Sequence, residues 1–216
     1  MDDKMIALPG DLRRCIDFHG HLCPGLVYGY LVAREAIQLL ALNRSEDEEV
    51  VAFPENDSCA VDALQVMLGT TAGKGNLIFR DYGKNAYTVL KRQDRRAFRF
   101  SRKTEYGYEG EDCAEFELLG KKIAAKTAAP EENVRYRQMK ALDLLKKDFS
   151  AVFATEAIPP PEQPYAPLAP SVACARCGEM TMATRLVDAG SHVFYCLPCG
   201  EKKDAPLVSP AADPDN

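Results

Sequence analysis

The stretch IPPPEQPYAPLAP divides the chain, because six of the twelve residues from Pro159 to Pro170 are proline. Proline has no N–H to give to a ladder or helix and fixes its own φ, so the run reads as an extended, fairly stiff spacer. The expected organisation is a core domain over 1–158, a proline-rich linker over 159–170, a small module over 171–203 and a disordered tail over 204–216.

The small module carries CARCG and CLPCG, two C-x-x-C-G knuckles separated by 18 residues. Four thiolates gathered by two tight turns suit tetrahedral Zn²⁺, and a glycine after each pair permits the backbone conformation that brings amide N–H groups to sulfur. Cys174, Cys177, Cys196 and Cys199 are therefore expected to hold a structural zinc, and the runs TMATRLVD and SHVFYC, turning at Ala189 and Gly190, to form a zinc ribbon. The chain has no Trp and the module little aromatic core, which argues against a rubredoxin-type iron site. A redox dithiol needs only one C-x-x-C. His192, a lone histidine in a β-like run, reads as a surface residue. So small a module buries too little to fold by itself, and the metal is expected to stabilise it directly.

The core alternates helix and strand signals. Leu26, Val27, Tyr30, Leu31, Ile37, Leu40 and Ala41 recur at helical spacing behind Pro24, which suits the first helical position. Val50–Phe53 reads as a strand; PENDSCAVDALQVMLG reads as a helix capped by Asp57 or Ser58 and stopped by Gly69. LIFR, Leu77–Arg80, reads as a strand, and AYTVLKR with RAFRFSRK as a β-hairpin. Helices near Glu115–Lys126 and from Pro130 or Glu131 to Lys147 precede a strand in AVFATEAI. Hairpins among helices make the fold class α+β, a mixed helix/sheet core, rather than a doubly wound parallel sheet.

Net charge is −5, but Lys91–Lys103 holds seven cations and one acid, leaving an acidic remainder of 20 cations and 31 acids. That balance, and a ribbon whose cations between Cys174 and Cys199 are only Arg176 and Arg185, argue against nucleic acid as partner. The chain has no apolar run long enough for a bilayer, and acids stand where a secretory signal needs bases, so a cytoplasmic, reducing setting is expected. There, eight cysteines point to metal or chemistry before disulfides.

In HGHLC the ligand-capable side chains fall at i, i+2 and i+4, so on an extended segment His19, His21 and Cys23 share one side. Pro24 disfavours helical backbone at Cys23 and places it as N-cap of the following helix, where orphan N–H groups face its sulfur. Cys59 repeats this in the first turn of its helix. If the two helix starts meet, the set suits Zn²⁺ or another divalent transition metal with an open position; the alternative is plain capping and core packing. Asp62, one turn beyond Cys59, is placed to orient a histidine or act as base. Cys15 and Cys113 read as core cysteines. TTAGKGN lacks P-loop spacing and reads as a turn.

The blocks HGHLCPGLVYGY and ENDSCAVDALQVMLGTTAGKGNLIFRDYGKNAYTVL resemble the E-subunit family of formylmethanofuran dehydrogenase, over about Cys15–Lys147. The resemblance implies an α+β core, commonly a homodimer, with a metal-binding cleft at His19, His21, Cys23 and Cys59. It also implies association with a molybdenum or tungsten enzyme that reduces CO₂ onto methanofuran. The chain shows no molybdopterin or iron–sulfur pattern, so it does not read as the redox-catalytic component. Two functions are then expected. One is a metal-dependent protein acting on or binding a small anionic molecule, with Asp62, Lys74, Tyr82, Lys84 or the basic hairpin at the substrate. The other is a non-catalytic adaptor whose ribbon docks a partner protein.

Overall fold

The computed structural model describes residues 8–201, and the expected tail over 204–216 lies outside them. Two compact units divide between Tyr165 and Ala166.

The first unit is a mixed helix/sheet core. Helices α1 (Gly10–His19) and α2 (Pro24–Leu40) precede strand β1 (Val50–Pro54) and helix α3 (Ala60–Leu68); β2 (Ala86–Lys91) and β3 (Arg96–Arg102) form the expected hairpin. Then come α4 (Cys113–Ala124), α5 (Pro130–Leu144), the short α6 (Phe149–Val152) and β4 (Phe153–Ile158). The sheet is antiparallel in the order β1-β2-β3-β4. Its alternation is regular: Val50, Ala52, Tyr87, Val89 and Phe100 join the main core with α2, whereas Val51, Phe53, Leu90 and Ala97 cluster on the opposite face. On α2, Leu26, Val27, Val32 and Leu40 are fully buried, each such side chain contributing about 1.5–3 kcal/mol.

Four expectations change. Leu77–Arg80 makes only one parallel bridge, Leu77 to Ala52, instead of a strand. The Ile78 and Arg80 amides donate to the carbonyls of Ala52 and Pro54, but Pro54 has no N–H to return, so the ladder stops. The N-cap of α3 is Cys59; Asn56 Oδ1 accepts from the Ser58 amide and hydroxyl in a turn just before it. Cys113 is exposed rather than in the core, whereas Cys15 is fully buried. The front half of the proline-rich stretch is held to the core: Arg92 donates to the carbonyls of Gln163 and Pro164 and stacks on Tyr165, and Arg95 pairs with Glu162.

The basic hairpin is engaged internally. Lys91 and Arg96 donate to the Leu40 and Leu39 carbonyls at the C-terminus of α2, where cations meet the negative end of the dipole. Arg99 grips buried Glu55 through two hydrogen bonds of 2.7 and 2.9 Å. No helix among the described residues is long and apolar enough to cross a membrane.

The second unit consists of two small hairpins, β5 (Ser171–Ala173) with β6 (Met180–Met182), and β7 (Leu186–Asp188) with β8 (Phe194–Cys196), followed by the short α7 (Leu197–Glu201).

Candidate metal centres

In the ribbon, the ligand atoms of Cys174, Cys177, Cys196 and Cys199 all lie within 4.8 Å of one another. Sulfurs at ~2.3 Å from a tetrahedral zinc stand about 3.8 Å apart, and Cys177 Sγ is 3.9 Å from Cys196 Sγ. Arg176 Nη1 donates to the Cys199 carbonyl and so ties one knuckle to the other. The two glycines serve differently. Gly178 has φ +75°, which favours glycine, whereas a Cβ at Gly200 would stand 2.6 Å from Val187 Cγ2, so Gly200 is needed for close packing. Burial opposes ionisation of Cys174, yet the N–H groups of Cys177, Cys196 and Arg176 outweigh it and hold the thiol down to about 6. Burial and the neighbouring sulfurs push Cys199 up to about 12. Four such thiols ionise together only around a cation. His192 sits exposed in the turn at φ +60°.

The core centre is assembled where three helix ends meet. His19 is the last residue of α1, and Gly20 follows it in the left-handed conformation at φ +92°. The H-x-H segment is therefore a helix end and turn, not the extended run that spacing suggested. The turn still gathers the side chains: the ligand atoms of His19, His21 and Cys23 lie within 4.8 Å of one another. Cys23 is the N-cap of α2, and its Sγ accepts from the Leu26 amide at 3.4 Å with Pro24 behind it. Cys59 is not in that trio but flanks it. A Cβ at Gly25 would be 3.5 Å from Cys59 Sγ and 3.8 Å from Cys23 Sγ, so both sulfurs border the same glycine.

The two helix starts meet because of Gly29. A Cβ there would stand 2.0 Å from the Ala60 carbonyl oxygen, so α2 crosses the first turn of α3 in backbone contact. Gly25 and Gly29, one turn apart, make that crossing; their G-x-x-x-G spacing was the overlooked signal in PGLVYGY. Burial first, and then the Cys23 thiol, raise the Cys59 pKa.

His19 connects the trio to α3. Its Nδ1 lies 2.7 Å from Asp62 Oδ2 and its Nε2 lies 3.6 Å from Cys23 Sγ. The tautomer protonated at Nδ1 donates to Asp62 and aims the Nε2 lone pair at the sulfur side. A tetrahedral zinc bound at ~2.1 Å to nitrogen and ~2.3 Å to sulfur separates them by about 3.6 Å, so the donor pair fits the ion. A carboxylate on the far nitrogen is the usual support of a ligating histidine. Gln65 Nε2 donates to the other Asp62 oxygen at 3.2 Å.

His19 and Cys59 open onto a cleft of about 460 Å³ walled by Val61, Ala72, Leu77 and Phe79. Phe79 was not among the expected residues; its alternation with Ile78 in LIFR carried the signal. The expected cations are elsewhere. Lys74 Nζ donates to the Ser45 and Glu46 carbonyls, and Lys84 Nζ stands 6.0 Å over the ring of exposed Tyr82. None of these three lines the cleft.

These features define an α+β protein with two candidate metal clusters, one consistent with a zinc ribbon. The chain belongs to the FmdE family: the family model described as FmdE, Molybdenum formylmethanofuran dehydrogenase operon, matches residues 18–154. It is similar, at 30% identity over 198 residues covering 87% of this chain, to a Probable S-adenosyl-L-methionine-binding protein of Archaeoglobus fulgidus. The chain spans about half of that relative, 52% of its length. Among solved structures, an FmdE-like protein of Syntrophus aciditrophicus, named for a tungsten formylmethanofuran dehydrogenase, shares the fold. Its TM-score is 0.51 at 18% identity, covering 90% of this chain and 92% of that one.

Proposed function

We propose that this chain is a two-site zinc protein whose ribbon metal is structural and whose core metal, zinc or another divalent transition ion, binds a small molecule at an exchangeable position. The observation that carries the reading is His19 held between Asp62 and Cys23 at the mouth of a cleft. His19, Cys23 and Cys59 would hold the ion, with exposed His21 as the readily displaced donor. A metal there supplies a Lewis acid with a replaceable position. The chain's own part is to fix the imidazole through Asp62, to collect two sulfurs at helix starts, and to offer the cleft to a ligand.

The test is metal analysis of the full chain. Cys23→Ser and Cys59→Ser are expected to lose one ion per chain and keep the ribbon's; Cys174→Ser is expected to do the reverse. Full stoichiometry in the first two variants would overturn the core site. Self-association as a homodimer, and service to a molybdenum or tungsten dehydrogenase, belong to the same proposal and are tested by sedimentation and by co-purification with such an enzyme. S-adenosyl-L-methionine, named for a relative about twice as long, enters only as one compound for the binding screen.

A second reading, the adaptor, is favoured by one observation: Met180, Met182, Phe194 and Leu197 of the ribbon are exposed. Apolar groups gathered on so small a unit suit a protein partner. Retention of partner binding after loss of the core metal would select it.

A further inference from the structure

The cleft at the core centre is built without cations, and three separate features keep it so. Lys74, on the neighbouring turn, is tied to the Ser45 and Glu46 carbonyls. Arg80 follows Phe79 on an extended segment, so it points to the other side, where its guanidinium stacks 4.5 Å over Phe53 on the opposite face of the sheet. Lys84 stands over Tyr82. Among the described residues, no lysine or arginine lines the cleft.

Besides the candidate donors His19 and Cys59, its lining is acidic (Asp57, Asp62), neutral polar (Ser58, Gln65) or apolar. Asp62 is engaged by His19 and Gln65. Asp57, exposed at the rim just before α3, has no hydrogen-bond or ion-pair partner among the described residues. Phe79 is 48% exposed, and Leu77, on the same side of the extended segment, forms the floor with Ala72 and Val61. An aromatic ring left half in water beside candidate metal donors is a surface waiting for an apolar body.

Resting on the reading of the core centre as a metal site, we infer that its ligand is a small neutral or cationic molecule. One soft or borderline donor would reach the metal, an apolar flank would lie on Phe79, and any positive group would face Asp57. Phosphorylated and multiply anionic compounds are disfavoured, because Asp57 and Asp62 repel them, the Cys23 and Cys59 thiolates would offset the ion's own charge, and no lysine or arginine lines the cleft. This differs from the anionic substrate expected from the basic residues of the sequence, none of which lines this cleft.

Calorimetric titration of the zinc-loaded full chain with thiols of one donor type tests this. The probes are cysteamine, 2-mercaptoethanol, mercaptoacetate and phenylmethanethiol. Cysteamine is expected to bind about tenfold tighter than mercaptoacetate. Because the thiols differ in their own acidity, the decisive quantity is how that ratio changes in Asp57→Asn, where it should fall severalfold. Phe79→Ala should weaken phenylmethanethiol about five- to tenfold and leave 2-mercaptoethanol unchanged. A ratio indifferent to Asp57→Asn, or tightest binding by mercaptoacetate, overturns the inference while leaving the metal site standing. Equal binding by the Cys23→Ser chain, or no binding by the zinc-loaded protein, overturns the open metal site and the inference together.

Discussion

In the ribbon, four cysteines are brought together by two local knuckles, and hardly any apolar surface surrounds them. In the core centre, His19, Cys23 and Cys59 come from three different helices, and what unites them is the burial of Leu26, Ala63 and Leu64 between those helices. In the first case a metal would make the fold; in the second, the fold makes a place that a metal would fill. The distinction also fixes exposure to ligands: the ribbon offers four donors to one tetrahedral ion, whereas the core centre meets a cleft through His19 and Cys59.

The largest expected effect breaks the comparison at its strongest point. Removing metal with a chelator should unfold the ribbon, since binding energies of about 10–16 kcal/mol for such sites are folding energy. The core should keep its helix and sheet signals in circular dichroism. A ribbon whose amide hydrogens stayed protected after chelation, or a core that melted with it, would erase the difference between the two centres.

Next in size is Gly29→Val. The added atoms meet the Ala60 backbone with no flexible side chain to yield. Overpacking costs about 1–3 kcal/mol and more where backbone must move. Thermal unfolding should show the loss, and core metal affinity should fall with it, because the same crossing sets Cys23 beside Cys59. Ribbon metal content should be untouched.

Smaller again is Asp62→Asn. The amide still bonds to His19 but loses its charge and fixes the tautomer less firmly. Such supporting groups contribute about 10–100-fold in metal affinity. Competition with a chromophoric chelator should place the loss in the core site alone, and unfolding in the metal-free state should barely shift, an outcome that a merely structural role for Asp62 does not give.

These cases show why the ribbon was legible in the sequence and the core centre only partly so. Cys-x-x-Cys-Gly is a local instruction, and its four donors could be read from spacing. Cys23 was legible for the same reason, since Pro24 fixes the helix start one residue later. Its meeting with Cys59 depends on Gly29 touching Ala60, a contact between helices that no local period encodes. Leu77–Arg80 has the composition of a strand, yet Pro54 on its neighbour removes the donor that would complete the ladder. The cations of the hairpin were visible as a charge run, but their destinations, carbonyls at the end of α2 and the Glu55 carboxylate, are set by packing.

The smallest predicted effect concerns that last pair and sharpens what it means for the core to stand without metal. Hydrogen bonds from Arg99 lower the Glu55 pKa below the ordinary carboxylate range, against the opposing effect of burial. A depressed folded-state pKa means that the pair's contribution is fully present above the unfolded value of about 4.3 and is lost as pH falls through the folded one. Glu55→Gln should therefore destabilise the core by about 1–2 kcal/mol at neutral pH, the range for a charge-assisted hydrogen bond with partial exposure. The gap between variant and wild type in urea midpoints should narrow on acidification below about pH 4. The ribbon should respond to the same acidification differently, because protonating its cysteines would compete with the metal proposed to hold it together. If both units lost stability in step, and Glu55→Gln left the core's profile unchanged, the core's independence from its metal would have to rest on apolar burial alone.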